Sequence, residues 1–395
     1  MKVLIVGAGI VGMTLAYEWQ KKNPNDEIII IDKEPHEAFH ASGKNSGILH
    51  AGFYYNTDSL KARLTAEGNA LMKKFCKEKN IKINETGKLV VAKNEEEVET
   101  LKELERRSKA NNAGAYLISE EEAKKIDPNA KTYKYALYSP NTASVNPREV
   151  CFRLREDLEE KGVKFVFNMP FEKYKQSYDF LINAAGLYAD KIAHGFGVGL
   201  DYEVIPFKGL YLKYSGNDKI KTQIYPVPNI KNPFLGVHFT LMADNTVKIG
   251  PTAIPAFWRE NYAGFKRFDF KEMIEILGIE AKMFFKHKWF RDLAFYEMRY
   301  YLPKNLINEA KKLVYYLRGS FKPYPPGIRA QLVDKRDLSL VMDFLVEKKE
   351  NQIHILNAVS PAFTASFAFA EYVLDEQKKE VGSREKGEGN DGCND

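Results

Sequence analysis

Three glycines and one acid carry the first legible chemistry of this chain. Gly7, Gly9 and Gly12 stand in Gly7-Ala8-Gly9-Ile10-Val11-Gly12, and Asp32 follows roughly twenty residues later. That spacing suits the pyrophosphate of a dinucleotide. Gly7 permits a tight turn, Gly9 admits phosphate to the backbone, and Gly12 lets the following helix pack closely. The elements that must position these residues are also present. Lys2-Val3-Leu4-Ile5-Val6 is an apolar run of the kind that forms a buried parallel strand. Val11, Leu15 and Trp19 recur at helical spacing, and Glu27-Ile28-Ile29-Ile30-Ile31 is a second strand closing on Asp32. The helix presents free N–H groups and its positive dipole end to the phosphates, and Asp32 is placed to accept from a ribose hydroxyl. A lone glycine motif also occurs in ordinary strand–helix–strand turns. Here strand, glycines, helix, strand and acid come in the required order.

At 395 residues the chain suits two domains. It is 44% hydrophobic and 28% charged, with a net charge of +6 and no dense basic block, which sets nucleic-acid binding aside. Cys76, Cys151 and Cys393 are far apart and show no metal spacing, as expected in a reducing compartment without disulfides or a bound metal. The chain opens directly on a strand and contains no run of about eighteen apolar residues. The expectation is a cytoplasmic protein. Lys286-His287-Lys288-Trp289-Phe290-Arg291 reads either as an amphipathic helix or as a peripheral contact with the inner face of a membrane.

The expected fold class is α/β: a Rossmann-like domain around a parallel sheet, plus a second α+β domain with a mostly antiparallel sheet. Residues 1–85, 140–200 and 318–375 are assigned to the first domain, 86–139 and 201–317 to the second, and 376–395 to a disordered tail. Residues 35–55 form a glycine-rich yet apolar loop, as expected of backbone lying against a planar ligand or of a buried turn. Residues 178–183 form a strand ending in Ala184-Ala185-Gly186, at the carboxyl end where ligands lie in open sheets. Strands are expected at 202–214, 234–241 and 245–250, and helices from 268 to 312. After a strand at 353–358, Ser360 caps a helix with Pro361 at its first position; the helix is nearly all small or apolar to about residue 374, so its positive end points inward.

Signatures for hydrolysis and phosphoryl transfer are absent: no G-x-S-x-G, no H-E-x-x-H, no Walker lysine. A bound dinucleotide then does redox work. NAD would occupy one continuous domain. Small-residue segments instead recur near residues 45, 185, 327 and 360, which favours FAD buried between returning segments. The residues expected to hold it are Gly7, Gly9, Ile10, Gly12, Asp32 and Lys33; Ser42, Asn45, Ser46 and Gly47; Ala185 and Gly186; Gly327, Ile328 and Arg329; and Ser360, Ala362 and Thr364.

Those segments also carry a family likeness. Asn45-Ser46-Gly47-Ile48-Leu49-His50-Ala51-Gly52-Phe53-Tyr54-Tyr55 and Asn183-Ala184-Ala185-Gly186-Leu187-Tyr188-Ala189-Asp190 resemble the FAD-dependent L-2-hydroxyglutarate dehydrogenase/oxidase family. So do Ile205-Pro206-Phe207-Lys208-Gly209, Ile224-Tyr225-Pro226-Val227-Pro228, Pro233-Phe234-Leu235-Gly236-Val237-His238-Phe239-Thr240, Gly327-Ile328-Arg329-Ala330-Gln331 and Asn357-Ala358-Val359-Ser360-Pro361-Ala362. The glycine fingerprint alone indicates only the wider D-amino-acid-oxidase-like superfamily. The chain departs from the family at Lys208, where arginine is usual, and in the bulky Lys322-Pro323-Tyr324-Pro325-Pro326.

The resemblance implies oxidation of a 2-hydroxy acid to a 2-oxo acid, with hydride passing to flavin N5. His50 is the first candidate for the base that takes the hydroxyl proton and His238 the second, although either histidine suits a buried structural role. Arg329, with Lys208 behind it, is the candidate carboxylate clamp. Tyr54, Tyr55 and Tyr225 are candidates to orient the acid, or to pack as aromatics. The helix start at 360–364 would offset negative charge on reduced flavin. Oxygen, a quinone or a carrier protein each remains open as electron acceptor. Two other readings stand beside this one: an amino-acid or N-methyl amino-acid oxidase of the same architecture, and a nucleotide-binding module without turnover.

Overall fold

The computed structural model describes residues 1–228 and 235–388, with side chains described to residue 376. Its first sheet has six strands in the order Leu345–Lys349, Gln352–Asn357, Phe180–Asn183, Lys2–Val6, Glu27–Ile31, Lys164–Val166. All neighbours are parallel except the first two. The apolar runs read from the sequence are buried on both faces, as a parallel sheet requires. Val3, Ile5, Ile28 and Ile30 pack with Met13, Leu15 and Trp19 of the helix Ile10–Lys22, while Leu4, Ile29, Ile31 and Leu181 form a smaller cluster on the other face. The helices Leu60–Glu78 and Ala362–Glu388 join the first layer. They meet closely at Gly68, where a Cβ would lie 2.5 Å from the Ala365 Cα.

A ten-stranded sheet forms the second body. Its spine is the antiparallel pair Tyr202–Gly216 and Gly319–Asp334, matched almost end to end with an irregularity between Gly209 and Tyr211. Val247–Gly250, His238–Leu241 and Gln223–Pro226 continue it antiparallel, Gln223–Pro226 then pairs parallel with Lys88–Val91, and Tyr135–Ser139 and Tyr116–Ser119 complete that side. The helices Phe270–Lys286, Lys288–Met298 and Pro303–Ala310 cover part of it.

Several expectations meet a different outcome. Residues 318–333, expected with the nucleotide domain, instead form the long strand Gly319–Asp334 of the second sheet. Pro323, Pro325 and Pro326 are tolerated there because that stretch pairs only with Tyr202–Gly216 and leaves its other edge free, where proline's missing N–H is harmless. The last helix starts at Ala362, one residue past Pro361, and runs to Glu388 rather than ending near 374. Its second half is rich in Lys and Glu, which are good helix formers. Residues 389–395 of the expected tail, and Phe234 of the strand expected at 234–241, lie outside the described residues. Among the described residues no helix is long and apolar enough to cross a membrane.

Candidate active site

Between the two sheets lies a cleft of about 1060 Å³, at the upper end of what a drug-sized ligand occupies. One end is made by the glycine turn. Gly7 adopts φ +112°, and a Cβ there would fall 2.5 Å from the Ala184 carbonyl oxygen. A Cβ on Gly12 would fall 2.0 Å from the Gly7 oxygen, so only glycine lets the helix start this close to the strand. Gly9 is different. Its backbone is ordinary, and the position of its missing Cβ meets only the Ser42 side chain, with Oγ at 3.0 Å. The space it leaves belongs to the cleft, so the turn fits a pyrophosphate at a helix N-terminus. Asp32 accepts the Ala8 N–H at 2.8 Å and the Glu34 N–H at 2.9 Å, and burial pushes its carboxyl pKa up.

His50 lies toward the other end, fixed by its own backbone. Its N–H donates to Thr364 Oγ1 at 3.1 Å, Thr364 in turn donates to the Ile48 carbonyl, and Asn69 Nδ2 donates to the carbonyls of Leu49 and His50. The first turn of the last helix is thereby tied to the loop that carries His50. His238 stacks on Tyr225 with centroids 3.7 Å apart, and its Nδ1–H donates to the Gly236 carbonyl at 2.8 Å. Burial drives the pKa of His238 down to about 3 and that of His50 well below the usual imidazole value, with Lys88 adding to the effect on His50. Tyr54 lines the cleft with a buried hydroxyl that makes no hydrogen bond among the described residues. Arg329 Nη1 donates to the Thr252 carbonyl at 3.0 Å, which aims the guanidinium from the strand Gly319–Asp334.

Of the residues expected to hold the cofactor, all but Gly12 and Gly47 line this cleft; those two serve close backbone packing, Gly47 at φ +69° against the Val145 carbonyl. His50, His238, Tyr54, Tyr225 and Arg329 also line it. Lys208 does not. It stands on the strand Tyr202–Gly216, paired with Ile328 and Ile254, and is only half-buried. Sequence reading missed Lys88, a fully buried lysine whose Nζ lies 3.4 Å from His50 Nδ1 and 4.1 Å from the Tyr225 ring centroid. Its signal was a lysine in the apolar strand Lys88–Val91. At the glycine end, Lys33 and Arg267 bridge Glu260 and Glu34, with His40 also on Glu34; these charged groups tie the loop after Asp32 to the second body. That cluster was also unforeseen, because its members are over 200 residues apart.

A family model described as FAD dependent oxidoreductase matches residues 2–376. The chain belongs to that family. The cofactor the cleft accommodates is therefore FAD, and the protein is an FAD-dependent oxidoreductase. Among curated relatives, the mitochondrial L-2-hydroxyglutarate dehydrogenase of Mus musculus is 33% identical, the match covering 95% of this chain and 88% of that protein. The L-2-hydroxyglutarate dehydrogenases of Indibacter alkaliphilus and Escherichia coli are 34% and 32% identical, covering 93% and 94% of this chain and 96% and 92% of theirs. Among solved structures, FAD-bound L-alpha-glycerophosphate oxidase from Mycoplasma pneumoniae superposes with a TM-score of 0.71 at 22% identity, covering 94% of this chain and 92% of that one. Glycine oxidase from Geobacillus kaustophilus gives 0.68 at 18%, covering 94% and 93%. At these identities the superpositions speak for the fold alone.

Proposed function

We propose that this oxidoreductase converts a small 2-hydroxy acid to the 2-oxo acid, with L-2-hydroxyglutarate as the substrate its curated relatives are named for. The observation that carries the reading is a neutral imidazole, His50, on the same cleft as the cationic Arg329 and the glycine turn. FAD, when bound, supplies the two-electron acceptor whose N5 takes the hydride from the substrate carbon. The chain's own side chains do the rest. Arg329 pairs with a substrate carboxylate, the hydroxyls of Tyr54 and Tyr225 orient it, and His50 takes the hydroxyl proton. Ala362 and Thr364 line the same cleft at the start of the last helix, whose positive end would offset negative charge on the reduced cofactor. His238 has its Nδ1 proton committed to Gly236, and its low pKa suits it to a neutral hydrogen-bonding role rather than to accepting the proton.

The test is anaerobic mixing of the yellow holoenzyme with a panel of 2-hydroxy and 2-amino acids. Bleaching by L-2-hydroxyglutarate, and none by amino acids, is expected. Bleaching by amino acids alone would replace the reading with an amine oxidase, and bleaching by neither would leave a binding module. Reoxidation of the bleached enzyme by oxygen, a soluble quinone or a carrier protein then identifies the acceptor.

We further infer a peripheral contact with an anionic lipid surface. The helix Phe270–Lys286 is apolar on two sides: Ile276 and Met283 are buried beside Glu272 and Glu280, while Phe270, Ile274 and Phe285 are 62%, 56% and 79% exposed on the opposite side. Exposed Lys271, Lys282, Lys286 and Lys288 flank that stripe, which matches negative headgroups. Co-sedimentation with phosphatidylglycerol vesicles but not with phosphatidylcholine vesicles, abolished by Phe285→Ser with Ile274→Ser, is expected. No sedimentation with either, or a stable dimer on ultracentrifugation, would overturn it.

A further inference from the structure

Lys88 is a buried lysine with no acidic side chain beside it among the described residues. It is 0% exposed on the strand Lys88–Val91, and among the described residues it makes no ion pair. Its Nζ sits 3.4 Å from His50 Nδ1, over the Tyr225 ring at 4.1 Å and near the Tyr54 and Phe53 rings at 5.2 and 5.6 Å. It does not line the cleft; it lies behind His50. The titratable groups around the pair are His238, Tyr225 and Tyr54, with Arg329 and Lys248 acting on His238 from farther away, and every charge among them is positive. A permanently charged ammonium in that company is costly, and burial brings the Lys88 pKa down to about 7.

A neutral amine changes what His50 can do. An ammonium would donate to Nδ1 and leave the proton of neutral imidazole on Nε2, blocking the nitrogen turned away from Lys88. An amine instead accepts from Nδ1–H and frees the Nε2 lone pair. Nε2 makes no hydrogen bond among the described residues, and His50 borders the cleft.

We propose that Lys88 is the terminal proton acceptor of the reaction: as His50 Nε2 takes the substrate hydroxyl proton, His50 Nδ1 hands its own to the Lys88 amine. This rests on His50 as the base. The bookkeeping closes. The O–H bond breaks and leaves its electron pair to form the carbonyl, and the C–H pair departs with hydrogen to the oxidised flavin. Nε2–H forms, Nδ1–H breaks, and Nζ gains the proton. The new ammonium is then held against the Tyr225 face, where a cation is favoured. An imidazole made weakly basic by its surroundings is thus coupled to a group of more suitable basicity. Lys88 acts through His50 and is a positioning residue.

The experiment uses the holoenzyme and three variants, Lys88→Met, Lys88→Arg and His50→Ala. In wild type, kcat/KM should fall about tenfold per pH unit below pH 7, where Lys88 becomes protonated. Lys88→Met should lower the plateau about 10²-fold and move that acid limb down by more than one pH unit. Lys88→Arg keeps the charge and must not rescue, whereas a structural role for the cation would be rescued. The readout independent of turnover is 15N NMR of labelled histidine at pH 8.5, with His50 assigned by its loss in His50→Ala. The proposal expects the Nδ1–H tautomer. The Nε2–H tautomer in wild type, or an acid limb unmoved in Lys88→Met, would overturn it. Should Lys88→Met fail to hold flavin, the wild-type tautomer still decides. His50→Ala with undiminished turnover would instead sink the base assignment itself, and so separates the two failures.

Discussion

Arg259 and Asp190 join the two bodies of the molecule beside the cleft, and replacing one of them should be expensive. Arg259 is 1% exposed and Asp190 0%. The guanidinium meets the carboxylate two-pronged, Nη1 to Oδ1 and Nη2 to Oδ2 at 2.7 Å each, while Nη1 also donates to the Leu187 carbonyl. Asp190 Oδ2 additionally accepts the Val204 N–H at 2.9 Å. In Arg259→Met the carboxylate stays buried with one backbone donor, and removing one partner of such a pair costs about 3–5 kcal/mol. That is a large share of a stability that runs to about 5–15 kcal/mol. Arg259→Met combined with Asp190→Asn removes the stranded charge but keeps an oxygen for Val204, and should recover roughly 2 kcal/mol of the loss. Leu187 and Tyr188 line the cleft, so flavin retention should follow the same order. The assay is urea unfolding of holoenzyme, read by tryptophan and by flavin fluorescence, with coincident transitions as the check on cooperativity. A single-variant cost below about 1 kcal/mol, or a double variant equal to the sum of its singles, would refute the reasoning.

Three further outcomes are expected. Gly9→Val should purify as folded, colourless protein with an unchanged apoprotein melting point, because its side chain enters the cleft and not the core; yellow protein would contradict the placement of the pyrophosphate. Arg329→Ala should raise KM for the hydroxy acid at least tenfold with a smaller effect on kcat in steady-state assays, and an unaltered KM would remove the clamp. His354 is fully buried, bonded to Asn183 and Gln352, and burial lowers its pKa to about 4. The unfolded chain therefore takes up a proton below about pH 6.5 that the fold refuses. Stability should fall between about pH 6.5 and 4 by on the order of 3 kcal/mol, and His354→Gln should flatten that slope in urea titrations.

The opening strand–helix–strand unit was legible because each part is local: a continuous apolar run, a glycine turn and a helical stripe lie within thirty-odd residues. The small-residue segments were legible for a related reason, since glycine and alanine beside a strand end leave room only where a ligand or another backbone comes close. What stayed hidden depends on register and on distance along the chain. Whether Lys208 lines the cleft depends on how its strand sits beside a partner more than a hundred residues away. The long strand Gly319–Asp334 was masked by its prolines, which argue against a central strand and are accommodated only because that stretch lies at an edge. Arg259 meets Asp190, and Lys88 meets His50, across gaps that no periodicity spans. The helix Phe270–Lys286 was expected as a helix, but which of its apolar residues would be buried was not legible: Ile276 and Met283 join the core, while Phe270, Ile274 and Phe285 face outward.

The placement of Lys208 also bears on the substrate. A lysine where the family usually carries arginine would, on the cleft wall, replace a two-pronged carboxylate ligand with a single point charge. Lys208 is not among the residues that line the cleft, so that exchange removes nothing from the wall, and Arg329 remains on it. The same reasoning sets where specificity can change. The glycine turn and the loop 42–46 hold the part of the cleft suited to the cofactor, whereas Arg329, Tyr225 and His238 come from strands of the second sheet. On the proposed function, exchanging residues on those strands should alter which acid fits without disturbing the pyrophosphate seat. One scaffold can thus serve proteins named for a glycerophosphate, for glycine and for a hydroxy acid.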